Sequence, residues 1–505
     1  MRLFTALCAS LVGFAYFSIS PAIAQPSVSS QEQTEEPTKT TTHNAIVGGK
    51  KLNYEVTAGR LTLTNEKNTP TAKMFYVAYT VPQKQGEPQR PVTFLYNGGP
   101  GSSSIWLHMG GLAPIVVESD MPDATAPAPY TLKTNPSSIL DKTDLVFLDA
   151  IGTGYSRLLD QDAASDYYGI DADANAFTQA IQRYLTTYNR WNAPKFLLGE
   201  SYGGPRSGVL SYKLQQAGIQ LNGIVLLSPI MNFSQHAAGL DRHTVNLMPT
   251  YAATGYYHGK TPRHPEGLEG HVEDARQFAL GAYTTALTKG HHISEAEANS
   301  VATELARLTG LSKDFWLRTN LRLRAPSFTA ELLRDEGKYV GNMDARAVGS
   351  APNGVSETSA YDPAGSMSPA YISLFHSYLA ETLGYTRDDL QYKVGNSSIM
   401  ANWDWSHKPP GAPYQYAGAN STIDLAAAMR KNPQLKILAL SGYFDMVTPF
   451  FATEWDLSHM LLDESLIGNI TEKFYEGGHM FYVNMDELKR MDDDLEAFYS
   501  DALGK

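Results

Sequence analysis

From Lys51 onward, "YEVTAGRLTLTN" and "AKMFYVAYTV" alternate apolar and polar positions with turn residues between them, and this period of two predicts paired strands. The next stretches are continuously apolar and run into glycine-rich turns. "RPVTFLYNGGPGSSS" predicts a buried strand at 92–96, and "DKTDLVFLDAIGTGYS" predicts another near 144–148. In "APKFLLGESYGG" a third strand enters its turn directly. Between these, "DANAFTQAIQRYLTTYNRW" has helical spacing, with Phe177, Ile181 and Leu185 four apart on one face. "PRSGVLSYKLQQAG" reads as a helix with Pro205 near its start and Gly218 at its end. "LNGIVLLSP" (221–229) is a further buried strand.

Strand, loop, helix and strand in that alternation imply an α/β domain with a mostly parallel sheet. The alternation stops near 232. Up to about 430 the text is helical ("SEAEANSVATELARLTG", "SFTAELLRDEG") with turn-rich separators, and no internal repeat is visible. Sheet patterning resumes at "LKILALSGYFD" (435–445) and "ITEKFYEGGHM" (470–480), followed by the helix "MDELKRMDDDLEAFYSDAL". The expected organisation is a core in two parts, 46–231 and 431–505, with a mainly helical cap inserted at 232–430.

Composition narrows the class. Of 505 residues 43% are hydrophobic and 18% charged, enough for a sizeable core. The net charge of −12, without a basic stripe, argues against nucleic acid as a partner. "MRLFTALCASLVGFAYFSISPAIAQP" joins one basic residue, an apolar run and the small-residue site Ala22-Ile23-Ala24, the pattern of a secretory signal (1–24). An uncleaved anchor is the alternative, and no other stretch approaches the ~18 apolar residues of a spanning helix. The polar stretch 25–45 reads as a disordered leader. Cys8, the only cysteine, falls within the signal, which excludes thiol catalysis, thiolate metal sites and disulfides from a processed chain. An exported protein, periplasmic or secreted, follows. A homodimer is one oligomeric state the sequence allows.

The turn after "KFLLG" contains Gly199-Glu200-Ser201-Tyr202-Gly203, a G-x-S-x-G nucleophile elbow. Three fixed positions in five carry little weight alone. In an α/β-hydrolase the partners follow in the order Ser, acid, His, each after a strand. Asp445 follows "LKILALSGYF" and His479 follows "ITEKFYE" through Gly477-Gly478. A serine hydroxyl needs an imidazole to take its proton and a carboxylate to orient that imidazole. Backbone donors for an oxyanion would come from the loop "NGGPGSSS" (97–104) and from Tyr202 N–H. Glu454 and Asp456 are weaker acids for the role, because both fall in a following helix.

Taken in order, "YNGGPGSSS", "GESYGG", "SGYFD" and "GGHM" resemble the serine carboxypeptidase family. The resemblance runs from about residue 50 to the end and implies an α/β-hydrolase fold with an inserted cap. It implies release of C-terminal residues from peptides with a free C-terminus, and no cofactor or metal. By motif position it implies Ser201, Asp445 and His479 as triad, Gly98, Gly99 and Tyr202 as oxyanion region, and Asn97 and Glu200 as holders of the substrate carboxylate. Two carboxylates can pair only by sharing a proton, so such a site favours acidic pH. An esterase or acyltransferase with the same triad, or a non-catalytic peptide-binding relative, are the alternatives.

This chain departs from the family pattern at four places: Ser102 for a usual Cys, Tyr96 for a common Trp, "HMFYV" after the histidine, and a shortened "DAIGTGYS". Asp149 and that last loop read as structural, since G-x-G without a third glycine is a weak nucleotide signal. His258, His264 and His271 lack metal-ligand spacing and read as surface residues of the cap. His291-His292 reads as a helix start, and "YAATGYYHG" as either cleft lining or packing.

Overall fold

A computed structural model describes residues 38–504 apart from 85 and 352–360. The expected signal and residues 25–37 of the leader lie outside the described residues. The leader reading does not hold beyond them, because Lys39–Val47 is a strand (β1) paired antiparallel with Lys50–Thr64 (β2). β1 is poor in large apolar residues, but its threonines are β-branched and an edge strand needs only one hydrogen-bonded neighbour. Pro70–Thr80 (β3) continues the antiparallel ladder.

The strands that follow are Val92–Tyr96 (β4), Asp144–Leu148 (β5), Lys195–Glu200 (β6), Gly223–Leu227 (β7), Lys436–Gly442 (β8) and Ile470–Tyr475 (β9). The sheet runs β1-β2-β3-β5-β4-β6-β7-β8-β9, with the short strand Arg157–Leu158 also on β3. From β5 to β9 every pairing is parallel. Every residue of β4 to β7 is buried, as expected where helices cover both faces. Alternate strand residues feed two cores. Phe94, Val146 and Leu197 pack on one face, and Leu95, Phe147 and Leu198 on the other.

After β5 the chain crosses to the other side of β4, so the strand order reverses between β4 and β6. Parallel sheets open a crevice at such a switch point, beyond the carboxyl ends of the strands. Asn97 follows β4 and Ser201 follows β6, so topology alone brings them to one place.

Ile170–Thr187 (α1) and Gly203–Gln216 (α2) cover one face. The insertion contains Arg242–Tyr257 (α3), Gly267–Phe278 (α4) and Glu295–Thr309 (α5), joined by their own apolar cluster. It is not purely helical, since Lys338–Val340 pairs with Val348–Ser350 and Ser406–His407 with Tyr416–Ala417. Its C-terminal limit falls earlier than 430. Thr422–Lys431 (α6) packs Leu425, Ala428 and Met429 into the same core as α2 and belongs to the core layer. Phe450–Ser458 (α7) holds Glu454 and Asp456, and Met485–Ala502 (α8) covers the second face. This is an α/β-hydrolase fold with an insertion after β7.

The surface reading of the cap histidines needs correction at His271, while His258 and His264 are partly exposed. His271 is buried, with Nε2 2.9 Å from the Leu308 carbonyl, and His258 Nε2 lies 2.8 Å from the Ala345 carbonyl. An isolated histidine has no period to place it, and His271 on α4 took its burial from its contact with the end of α5 at Leu308. Tyr251 packs in the cap core, stacked on Phe328. His291 and His292 occupy a short turn before Ser294, whose hydroxyl caps α5. No described helix is long and apolar enough to cross a membrane.

Candidate active site

Ser201 has φ +60°, the left-handed conformation that a sharp strand-to-helix turn imposes on a nucleophile elbow. Its N–H donates to the Leu227 carbonyl at 3.0 Å, and its carbonyl accepts from Gly204 N–H at 2.9 Å. The residue is held from the neighbouring strand on one side and by the start of α2 on the other.

Asp445, in the loop after β8, is fully buried. Its Oδ1 accepts the N–H groups of Val447 and Thr448 at 2.8 and 2.9 Å. Its Oδ2 accepts the Thr448 hydroxyl at 2.6 Å and lies 2.7 Å from His479 Nδ1. That contact fixes the tautomer, with the proton on Nδ1 and the lone pair on Nε2. Burial pulls the His479 pKa down, but the charge and hydrogen bond of Asp445, with Glu200 adding to them, outweigh it and raise the pKa above the ordinary histidine value.

Ser201, His479, Glu200, Asn97, Gly98 and Gly99 line one cavity of about 320 Å³. Asp445 stands behind His479, outside the lining. Tyr202 opens the turn into α2, and a Cβ built on Gly98 would lie 2.3 Å from the Tyr202 nitrogen. The glycine loop and the elbow backbone are therefore packed against each other.

Glu200 is not a solvated turn carboxylate, being 2% exposed. Asn97 Nδ2 and the Tyr482 hydroxyl donate to its Oε2 at 2.8 and 2.7 Å. Burial pushes its pKa from 4.5 to about 7, and the opposing influence of His479 and of these two donors only partly offsets the desolvation. Asn97 is held in turn, its Oδ1 accepting Leu107 N–H at 3.0 Å and its carbonyl accepting Arg206 Nη1 at 2.7 Å.

The family departures have local explanations. Tyr96 is buried and its hydroxyl lies 2.8 Å from the Ser207 hydroxyl. Ser102 accepts from Trp106 Nε1 at 3.1 Å. Asp149 braces the glycine loop, accepting Ser104 N–H at 2.7 Å and the Tyr392 hydroxyl at 2.9 Å, and burial lifts its pKa to about 6. Glu454 pairs with Arg276, and burial pushes Asp456 up to about 8, both away from His479 on α7. Among the described residues no cluster of three or more His, Cys, Asp or Glu could hold a metal ion.

Two site residues escaped the sequence reading. Thr448 lies three positions after Asp445, and Tyr482 three after His479 in the turn Phe481–Val483. A short polar residue just after a candidate acid is a recognisable turn signal. Tyr482 offered no signal beyond its departure from the family's usual text.

The family model for serine carboxypeptidases matches residues 48–479, from the turn before β2 through to His479. The chain belongs to the serine carboxypeptidase family. Among curated relatives, serine carboxypeptidase-like 44 of Arabidopsis thaliana is 30% identical over 173 residues, 32% of this chain and 34% of the relative. Serine carboxypeptidase-like 36 from the same plant is 26% identical over 171 residues, 33% of each chain. The matched stretches thus span about a third of these relatives. Among solved structures, the prohormone-processing carboxypeptidase KEX1(delta)p of Saccharomyces cerevisiae superposes with a TM-score of 0.53 at 16% identity, covering 89% of this chain and 92% of the other. At that identity the likeness speaks for the shared fold of the serine carboxypeptidase family.

Proposed function

We propose that this family member is a serine-type carboxypeptidase that releases C-terminal residues through an acyl-enzyme. The observation that carries this reading is a buried carboxyl, Glu200, facing the same cavity as Ser201 and His479 and held by Asn97 and Tyr482. An ester or amide substrate without a free carboxylate gives that carboxyl nothing to recognise.

In this mechanism Ser201 Oγ attacks the scissile carbonyl carbon while His479 Nε2 takes the hydroxyl proton. The C=O π bond opens and its electron pair settles on oxygen, which faces the backbone N–H groups of the glycine loop and of Tyr202. Collapse breaks the C–N bond as His479 returns the proton to the leaving amine. Water repeats the sequence on the acyl ester and regenerates Ser201.

Both hydrogen bonds to Glu200 end on Oε2, so Oε1 is the oxygen that can carry a proton toward a substrate carboxylate. With a pKa of about 7, Glu200 is neutral below that pH and can donate to the substrate. Above it, two carboxylates would meet at hydrogen-bond distance. His479 must be neutral at the same time, so over the intermediate range the two groups share one proton and titrate as a pair. A bound carboxylate draws that proton onto Glu200 and leaves the imidazole free as a base.

The test compares an N-blocked dipeptide with its C-terminal amide from about pH 4 to about pH 9. The free acid should be the better substrate, its kcat/KM falling about tenfold per unit above pH ~7. A simple ester should instead gain rate as His479 loses its proton and then level off. Equal cleavage of acid and amide at every pH would sink the carboxypeptidase reading, and ester cleavage alone would favour the esterase alternative.

Glu200→Gln gives a second test. Its amide can keep accepting from Asn97 and Tyr482 while Nε2–H donates at every pH, so the alkaline limb for the free acid should flatten. Stability should move with it. A pKa raised from 4.5 to about 7 means that the fold favours the neutral carboxyl by about 3 kcal/mol. That advantage is fully present below pH ~4.5 and lost as pH rises through ~7. Denaturant melts at pH ~8 should find Glu200→Gln more stable than wild type, with no such gain at pH ~4.

Export is part of the same proposal, motivated by Ala22-Ile23-Ala24 after an apolar run. N-terminal sequencing of the mature protein beginning at Gln25 would support it, and an intact Met1 would not.

A further inference from the structure

Between Gly341 and Ala347 the insertion runs alongside both loops that carry Asp445 and His479. The N–H groups of Met446 and His479 donate to the carbonyls of Asn342 and Met343 at 3.1 and 2.6 Å. Ala345 N–H donates to the Phe444 carbonyl at 3.0 Å. Two side chains of this segment form a bidentate pair, Arg346 Nε and Nη2 donating to Asp344 Oδ1 and Oδ2 at 3.0 and 2.7 Å. Both side chains are buried, 7% and 6% exposed.

Each partner also reaches a catalytic loop. Asp344 Oδ2 accepts Gly478 N–H at 3.2 Å. Arg346 Nη1 donates to the Glu476 carbonyl, and the guanidinium lies 5.5 Å from the ring of Phe444, the residue before Asp445. The approach leaves no room for a side chain at Gly478, where a Cβ would meet the Met343 carbonyl oxygen at 2.3 Å.

A buried ion pair contributes little net stability once desolvation is counted, so stability is a weak reason for this one. Its hydrogen bonds are directional and end on the two residues that precede His479 by one and by three positions. We propose that Asp344 and Arg346 are positioning residues that hold the His479 loop in register with Asp445. The inserted segment is then part of the acid–base apparatus as well as a cover. This rests on reading His479 as the general base.

The test uses the full chain with Arg346→Met, Arg346→Lys and Asp344→Asn. Active sites are counted by titration with a fluorophosphonate, and kcat and KM are taken on an N-blocked dipeptide. The downfield proton resonance of the His479–Asp445 hydrogen bond, identified by its loss in His479→Asn, supplies a readout independent of turnover. Expected for Arg346→Met is a fall in kcat per titrated site of about 10- to 100-fold, since small misplacements of a catalytic group have effects of that order. KM should stay within about twofold. Arg346→Lys should recover part of the rate, and the resonance should shift or broaden in Arg346→Met and Asp344→Asn. An unchanged kcat per titrated site with an unchanged resonance, whatever the melting temperature, makes the pair merely structural and overturns the proposal. If Arg346→Met does not fold, the other two variants decide by the same criteria. A wild type that neither turns over nor takes the label defeats the serine-hydrolase reading instead. The resonance then decides the positioning role alone, and its invariance in the variants overturns it.

Discussion

Ser201→Ala is expected to lower kcat for an N-blocked dipeptide by on the order of 10⁶-fold while leaving KM close to wild type. The elbow presents Ser201 at φ +60° on the wall of the cavity that also holds His479, whose Nδ1 lies 2.7 Å from Asp445 Oδ2. On the proposed mechanism, removing Oγ removes the acyl-enzyme route and leaves only whatever the oxyanion donors can do for water. Because nucleophile and base act as a unit, Ser201→Ala combined with His479→Ala should be little worse than either alone. The check is single-turnover kinetics alongside fluorophosphonate labelling of wild type and variant. Label retained in Ser201→Ala, or activity within about tenfold of wild type, would show that another residue is the nucleophile.

Gly98→Ala should be the most damaging change that touches no reacting side chain. The new methyl would lie 2.3 Å from Tyr202 N, 2.7 Å from Tyr202 Cβ and 2.8 Å from the Glu200 carbonyl oxygen. These atoms belong to the elbow and none sits at the end of a flexible side chain, so either the glycine loop or the elbow must shift. Loss of one aligned oxyanion donor lowers kcat by about 10²- to 10³-fold, and a displaced elbow adds to that. Gly281→Ala is the control, since a Cβ there meets nothing within 4 Å. Near-wild-type kcat in Gly98→Ala would mean that this loop does not set the geometry around the scissile carbonyl.

These expectations depend on features of unequal visibility in the sequence. The strands β4 to β7 were legible because burial on both faces leaves a continuous apolar run, and a glycine-rich turn marks where such a strand ends. The positions of Ser201, Asp445 and His479 were legible for the same reason, each lying in the turn or loop that follows a strand. β1 was not, because its pairing depends on β2 and its mostly exposed threonines resemble a polar leader. The end of the insertion was misplaced because α6 has the same helical period as the cap, and only its packing against α2 assigns it to the core.

The sequence by itself determined the order of strands and turns, the residue types at their ends and the family to which they point. Those properties follow from local periodicity and from motifs a few residues long. Only the tertiary structure decided that Tyr482 donates to Glu200, that Thr448 braces Asp445, and that Asp344 and Arg346 reach the His479 loop across 134 and 130 positions of chain. It also decided the raised pKa of Glu200, because desolvation depends on what surrounds a carboxyl in space, and that environment is assembled from segments distant along the chain.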